Sequence, residues 1–147
     1  MSPVIATVIL VAVAITVAVA VAYWMGGIAG QYTKFEKIEI QSAVCTLNSA
    51  GNWTIVMKLK NTGTATATLN SAFVNNLELN RYNTTSILNE WTSNMSTAQA
   101  ITSGQPMTIE IYIDADRTGT TLSSGTTINI KIHSSGGMDY IKLIELI

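Results

Sequence analysis

Between Val4 and Met25 the chain carries no charged residue, and its first charged side chain is Lys34. Inside this run, Val11 to Ala22 alternates, with Val or Ile at odd positions and Ala or Thr at even ones. Strict alternation argues for a strand, yet a strand of more than about 20 residues far exceeds the usual length. A membrane-inserted strand would also need a closed barrel around it. The start of the run settles the choice: Ser2 is a good N-cap, and Pro3 falls at the first helical position, where its missing N–H is harmless. The pattern predicts one helix from about residue 3 to about residue 33. Exposed to water, the apolar run would cost on the order of 20–40 kcal/mol at roughly 1–2 kcal/mol per residue. Folding stability is about 5–15 kcal/mol, so the helix must be buried in lipid or against copies of itself.

On such a helix Ala14, Ala18, Ala22, Gly26 and Gly30 fall at i+4 steps along one face, and Ala12, Thr16 and Ala20 form a second row. Rows of small residues let helix backbones approach closely where lipid removes the hydrophobic drive. Two readings follow: a plain single-pass anchor, or a helix built to pack against many identical helices.

From Phe35 onward the period becomes two. Ile38 and Ile40 alternate with Glu39 and Gln41, and Trp53, Ile55, Met57 and Leu59 with Thr54, Val56, Lys58 and Lys60. Met107, Ile109, Ile111 and Ile113 form a third such set, and Ile128, Ile130 and Ile132 a fourth. These are half-buried antiparallel strands with one face in a core. Turn signals stand between the runs at Asn48-Ser49-Ala50-Gly51, Asn61-Thr62-Gly63 and Ser134-Ser135-Gly136-Gly137. The expected fold is α+β: a long hydrophobic N-terminal helix (1–33), then an immunoglobulin-like antiparallel β-sandwich (34–147). The stretch from Asn83 to Gln105 has no clear period and reads as a long surface excursion. The last run, Tyr140 to Ile147, is apolar on both faces. It is either a central strand, or its second face meets the helix or a neighbouring subunit.

Composition narrows the function. Net charge is −1 and only 12% of residues are charged, which leaves no electrostatic footprint for nucleic acid. Cys45 is the single cysteine, so an internal disulfide and a cysteine metal cage are excluded. The run also fails as a signal peptide, being too long and lacking a basic n-region. His133, the one histidine, sits on the polar face of an expected strand, a solvated position. Asp114-Ala115-Asp116 with Thr118 and Gly119 echoes a calcium loop, but Gly125 stands where the closing glutamate belongs. No phosphate loop, catalytic set or cofactor motif emerges, and an enzyme is not expected. Three sequons begin at Asn52, Asn83 and Asn94, each in an expected turn or loop, and are candidate glycan sites.

The opening Met1-Ser2-Pro3-Val4-Ile5-Ala6-Thr7-Val8-Ile9-Leu10 resembles the mature N-terminus of archaeal type IV pilins. The likeness is strong over about 25 residues and extends loosely through Leu59-Lys60-Asn61-Thr62-Gly63, a strand-end motif recurring in archaeal pilin and archaellin outer domains. In that family a short basic leader is cleaved just before a residue followed by Ser-Pro-Val-Ile. The sequence therefore reads as a mature form, or as one in which Met1 is a start. Ile5 stands where bacterial type IV pilins carry a glutamate that pairs with a neighbour's N-terminus, so that charge pair does not carry over.

The resemblance implies a helical filament of identical subunits on the cell surface, with helices bundled at the centre and β-domains outside. It also implies insertion in the membrane before assembly, a prepilin-peptidase-like processing enzyme and an assembly machinery. Surface adhesion is the leading role. An archaellin-like motility filament shares the architecture, although the Ser-Pro-Val-Ile-Ala start favours the pilin. A single-pass membrane-anchored β-sandwich binding module, for instance for a solute or a sugar, is the third reading, and it would need an outer pocket, for which Trp91 and Tyr82 are the only candidates.

Overall fold

Ser2 holds an extended backbone and its hydroxyl accepts the Val4 N–H at 3.3 Å, satisfying one of the free donors of the first turn. With Pro3 preset for helical φ, helix α1 runs over Pro3–Tyr32 and closes at Thr33, whose N–H reaches the Ala29 carbonyl. The computed structural model describes residues 2–79, 91–95, 98–115 and 122–147. The chain divides into two units, Met1–Phe35 and Glu36–Ile147.

The second unit holds the strands β1 (Ile38–Leu47), β2 (Trp53–Asn61), β3 (Ala67–Val74), β4 (Leu77–Glu78), β5 (Thr92–Ser93), β6 (Gln99–Ile101), β7 (Pro106–Ile113), β8 (Thr127–Ser134) and β9 (Asp139–Glu145). One sheet has the order β1-β2-β7-β5; the other has β4-β3-β8-β9, with β6 also pairing to β3. All described pairings are antiparallel. With β1, β2, β7 and β5 taken as A, B, E and D, and β4, β3, β8 and β9 as C′, C, F and G, this is immunoglobulin order. The long helix followed by an antiparallel sandwich is thus the expected α+β fold.

The core lies between the two inner faces. Trp53, Ile55, Met57 and Leu59 of β2 and Ile109, Ile111 and Ile113 of β7 meet Leu69, Ala72 and Val74 of β3 and Ile128, Ile130 and Ile132 of β8. The joint between β3 and β4 is a tight turn in which Asn75 (φ 50°) and Asn76 (φ 67°) both occupy the left-handed region. That is the backbone of a type I′ turn, whose twist matches the strands it joins. Asn75 also accepts the Asn129 N–H at 2.9 Å and donates its own N–H to the Asn129 carbonyl at 2.8 Å, fastening the hairpin to β8.

Two expectations need correction. The segment read as a surface excursion contains β5 and β6, and its described part buries Trp91, Met95 and Ile101. These side chains are spaced without a period because Trp91 and Met95 flank the two-residue β5 of one sheet while Ile101 ends β6 of the other. The last run is not a central strand: β9 ends its sheet, turning Ile144 inward and leaving Ile141 and Leu143 exposed.

Candidate assembly surface

The helix has no buried residue, and apolar side chains cover its whole circumference. A helix of that kind needs apolar surroundings on every side, unlike the striped helix that lies on a core. Its two mid-helix hydroxyls are already satisfied. Thr7 Oγ1 donates to the Val4 carbonyl at 2.7 Å and Thr16 Oγ1 to the Ala12 carbonyl at 2.8 Å. Folding these groups back on the preceding turn removes the cost of taking them into an apolar phase. Ala14, Ala18, Ala22, Gly26 and Gly30 remain uncovered along one side of the single chain. A Cβ added at Gly26, Gly27 or Gly30 would meet nothing within 4 Å.

On the sandwich the largest exposed apolar feature of the second sheet is on β9, where Ile141 is 56% and Leu143 63% exposed. For Ile141 the register gives a reason. Ile141 pairs with Lys131, which pairs in turn with Phe73, and the Lys131 ammonium lies 4.8 Å from the centroid of the Phe73 ring. The lysine leans toward the aromatic ring, away from Ile141. The pattern of the last run flagged the apolar β9 residues, but the Phe73–Lys131 contact had no local signal. Beside β9, the edges of β1 and β9 leave an open groove lined by Ile38, Ile40, Tyr140 and Lys142 among others. At its end the Tyr140 hydroxyl donates to Glu36 Oε1 at 3.4 Å, and burial followed by the Glu36 charge raises the Tyr140 pKa above the usual tyrosine value.

The remaining sequence candidates fall apart from one another. His133 is on the exposed face of β8 with Nδ1 2.6 Å from Asp139 Oδ1. Trp91 is 2% exposed and its indole N–H donates to the Asp114 carbonyl at 3.1 Å, so it is a core residue and not the wall of a sugar pocket. Tyr82, Asn83, Asp116, Thr118 and Gly119 lie outside the described residues. Asp114 is buried at the end of β7, and among the described residues no His/Cys/Asp/Glu cluster could hold a metal ion. Cys45 is half-buried on β1.

The two described sequon asparagines differ in what their amides do. Asn94 accepts the Glu110 N–H at 3.0 Å and donates from Nδ2 to the Thr108 carbonyl at 3.4 Å, so its side chain continues the β5–β7 ladder. Asn52, just before β2, uses only its oxygen, accepting the Ala115 N–H at 3.3 Å.

No protein-family profile and no curated sequence matches the chain. Among solved structures it is similar to the archaellum periplasmic stator protein FlaG from Sulfolobus acidocaldarius, at 21% identity and TM-score 0.47, over 75% of this chain and 100% of that one. It is also similar to a FixG-related protein from Vibrio parahaemolyticus, at 15% identity and TM-score 0.47, over 76% and 94% of the two chains. A third likeness, to the archaeal flagellum of Methanospirillum hungatei strain JF1, has 17% identity and TM-score 0.45 and spans 99% of this chain and 94% of that one. These are distant likenesses of layout.

Proposed function

We propose that the protein is a structural subunit of an extracellular archaeal type IV pilus, that it polymerises through α1, and that the pilus serves surface adhesion. One observation carries the reading: a 30-residue helix that is apolar all round and has no buried residue. Copies of the same helix supply the missing surroundings, and the two small-residue rows allow their backbones to approach. Before assembly the bilayer takes that place. The sandwich then forms the outside of the filament, with any glycans on its loops, and the role is structural and not catalytic. A prepilin-peptidase-like enzyme and an assembly machinery are the partners this reading needs.

An archaellin-like motility filament is the second reading, since the two-part plan serves both; the Ser-Pro-Val-Ile-Ala start favours the pilus. Electron microscopy of material sheared from cells, with mass analysis of its main protein, tests the shared claim. Deletion of the gene then separates the two roles: loss of attachment supports the pilus, loss of swimming the motility filament. A chain found only in membranes, never in filaments, would overturn both and leave a single-pass anchor with a β-sandwich head.

A further inference from the structure

The helix is longer than a bilayer is thick, and its aromatic residues are not spread at random along it. From Pro3 to Ala22 it contains no aromatic side chain. At 1.5 Å per residue this part is about 30 Å long, which equals the hydrocarbon thickness of a typical bilayer, about 30 Å. Tyr23 and Trp24 follow immediately, 87% and 66% exposed, on adjacent positions of the same turn. Beyond them Gly26, Gly27, Gly30, Gln31 and Tyr32 make the last turns far less apolar, and charge begins at Lys34.

We infer that Tyr23 and Trp24 set the depth of the unassembled subunit by docking in the headgroup–acyl boundary of a phospholipid bilayer, on the side that bears the sandwich. Tyrosine and tryptophan favour that layer because a flat apolar ring and a polar O–H or N–H meet a phase boundary at once. With the pair held there, Pro3–Ala22 fills the hydrocarbon. The rest of the helix, Met25–Tyr32, stands clear of it as a helical stalk about 12 Å long. The stalk contains Gly26 and Gly30, so part of one small-residue row is free of lipid and open to a second copy before the subunit leaves the membrane. The inference rests on the membrane stage of the proposed function and adds a register to it.

Depth-dependent quenching tests this on the full chain in phosphatidylcholine vesicles whose acyl chains are brominated either near the headgroup or near the bilayer centre. Of the three tryptophans, Trp53 and Trp91 are buried in the sandwich core, 3% and 2% exposed, and give a lipid-insensitive background. Trp24 emission should be quenched more by shallow than by deep bromines, and Trp24→Phe should lose the lipid-dependent quenching. Val13→Trp in the Trp24→Phe background should reverse the order, since residue 13 lies near the middle of the span. Stronger quenching of Trp24 by deep bromines, or none while Val13→Trp is quenched, overturns the register. Absence of quenching at both positions overturns the membrane stage itself, while filament formation is judged separately by microscopy.

Discussion

The side-chain amide of Asn61 donates to the carbonyl of Ile101 at 2.8 Å, a buried contact between residues 40 positions apart. The same amide donates to the Ala65 carbonyl at 2.8 Å, and its oxygen accepts the Gly63 N–H at 2.9 Å. Its backbone adds two more bonds, donating to the Gln105 carbonyl and accepting from the Gly104 N–H. One residue thus gathers the end of β2, the loop into β3, the short β6 and the turn into β7. Unpaired buried carbonyls cost roughly 1–3 kcal/mol each. Asn61→Ala should therefore destabilise the Glu36–Ile147 fragment by roughly 2–4 kcal/mol, read as a lowered urea midpoint with an unchanged slope. Asn61→Asp points a carboxylate at two carbonyls, so its deficit should grow as pH rises through the carboxylate range. A change below about 0.5 kcal/mol for Asn61→Ala would mean that the hub carries no net stability.

The type I′ turn offers a test with opposite signs at adjacent positions. Asn76 holds a left-handed backbone and its side chain makes no hydrogen bond to the described residues, so Asn76→Gly should stabilise the fragment by about 0.5–1 kcal/mol. Asn75→Gly gains the same backbone relief and loses the bond from Asn129, so its net effect should be smaller or destabilising. Thermal melts of the two variants decide it. Equal gains would show that the Asn75–Asn129 bond contributes nothing.

What the sequence made legible was whatever kept a single phase. β2, β7 and β8 alternate without interruption, and α1 declares itself by length and by its Ser-Pro start. β3 was missed because its register shifts between Leu69 and Ser71, moving the buried set from Ala67 and Leu69 to Ala72 and Val74. A similar shift between Ile40 and Ser42 hides the second half of β1. β5 and β6 are too short to show any period. On the candidate surface the small-residue rows were readable as spacing, whereas Lys131 leaning on Phe73 depends on strands paired across the sheet. Asn61-Thr62-Gly63 read correctly as a turn; that its amide is buried depends on Ile101, which no local pattern brings near.

Alkaline pH should weaken the sandwich through Tyr140. Burial, then the nearby Glu36 charge, raises its folded pKa, so the neutral phenol is the form the fold favours. A raised folded pKa gives stability that is complete below the unfolded tyrosine value and lost as pH rises through the folded one. Tyr112 adds in the same direction, chiefly through its hydrogen bond to Glu110. Urea midpoints of the fragment should fall from about pH 10 upward, and Tyr140→Phe should flatten part of that slope. An unchanged slope in Tyr140→Phe would assign the loss to other groups.

Removing the bare residues of β9 should leave the fold intact. Ile141→Thr and Leu143→Thr remove exposed side chains, so the fragment's stability should shift by no more than about 0.5 kcal/mol. Concentration-dependent sedimentation should show less self-association than the parent, because the apolar stripe is gone. A large loss of stability would place these side chains in intramolecular packing instead.

Sugars, where attached, should favour Asn52 over Asn94, because the Asn94 amide is spent on the Thr108 carbonyl and the Asn52 nitrogen is not so used. Peptide mass analysis of native material should find heterogeneous added mass on the Asn52 peptide more often than on the Asn94 peptide. Modification of Asn94 alone would contradict this.

The central claim is that α1 polymerises by close packing of its small-residue faces, and Ala18→Leu and Gly26→Leu test it most directly. Each adds a bulky side chain on the same row and should keep helix backbones apart. Electron microscopy of cells expressing either variant should show no filaments, while the membrane fraction holds the chain with a protease-resistant, folded sandwich. Filaments of normal appearance and number from both variants would contradict the account and leave α1 as a simple membrane anchor.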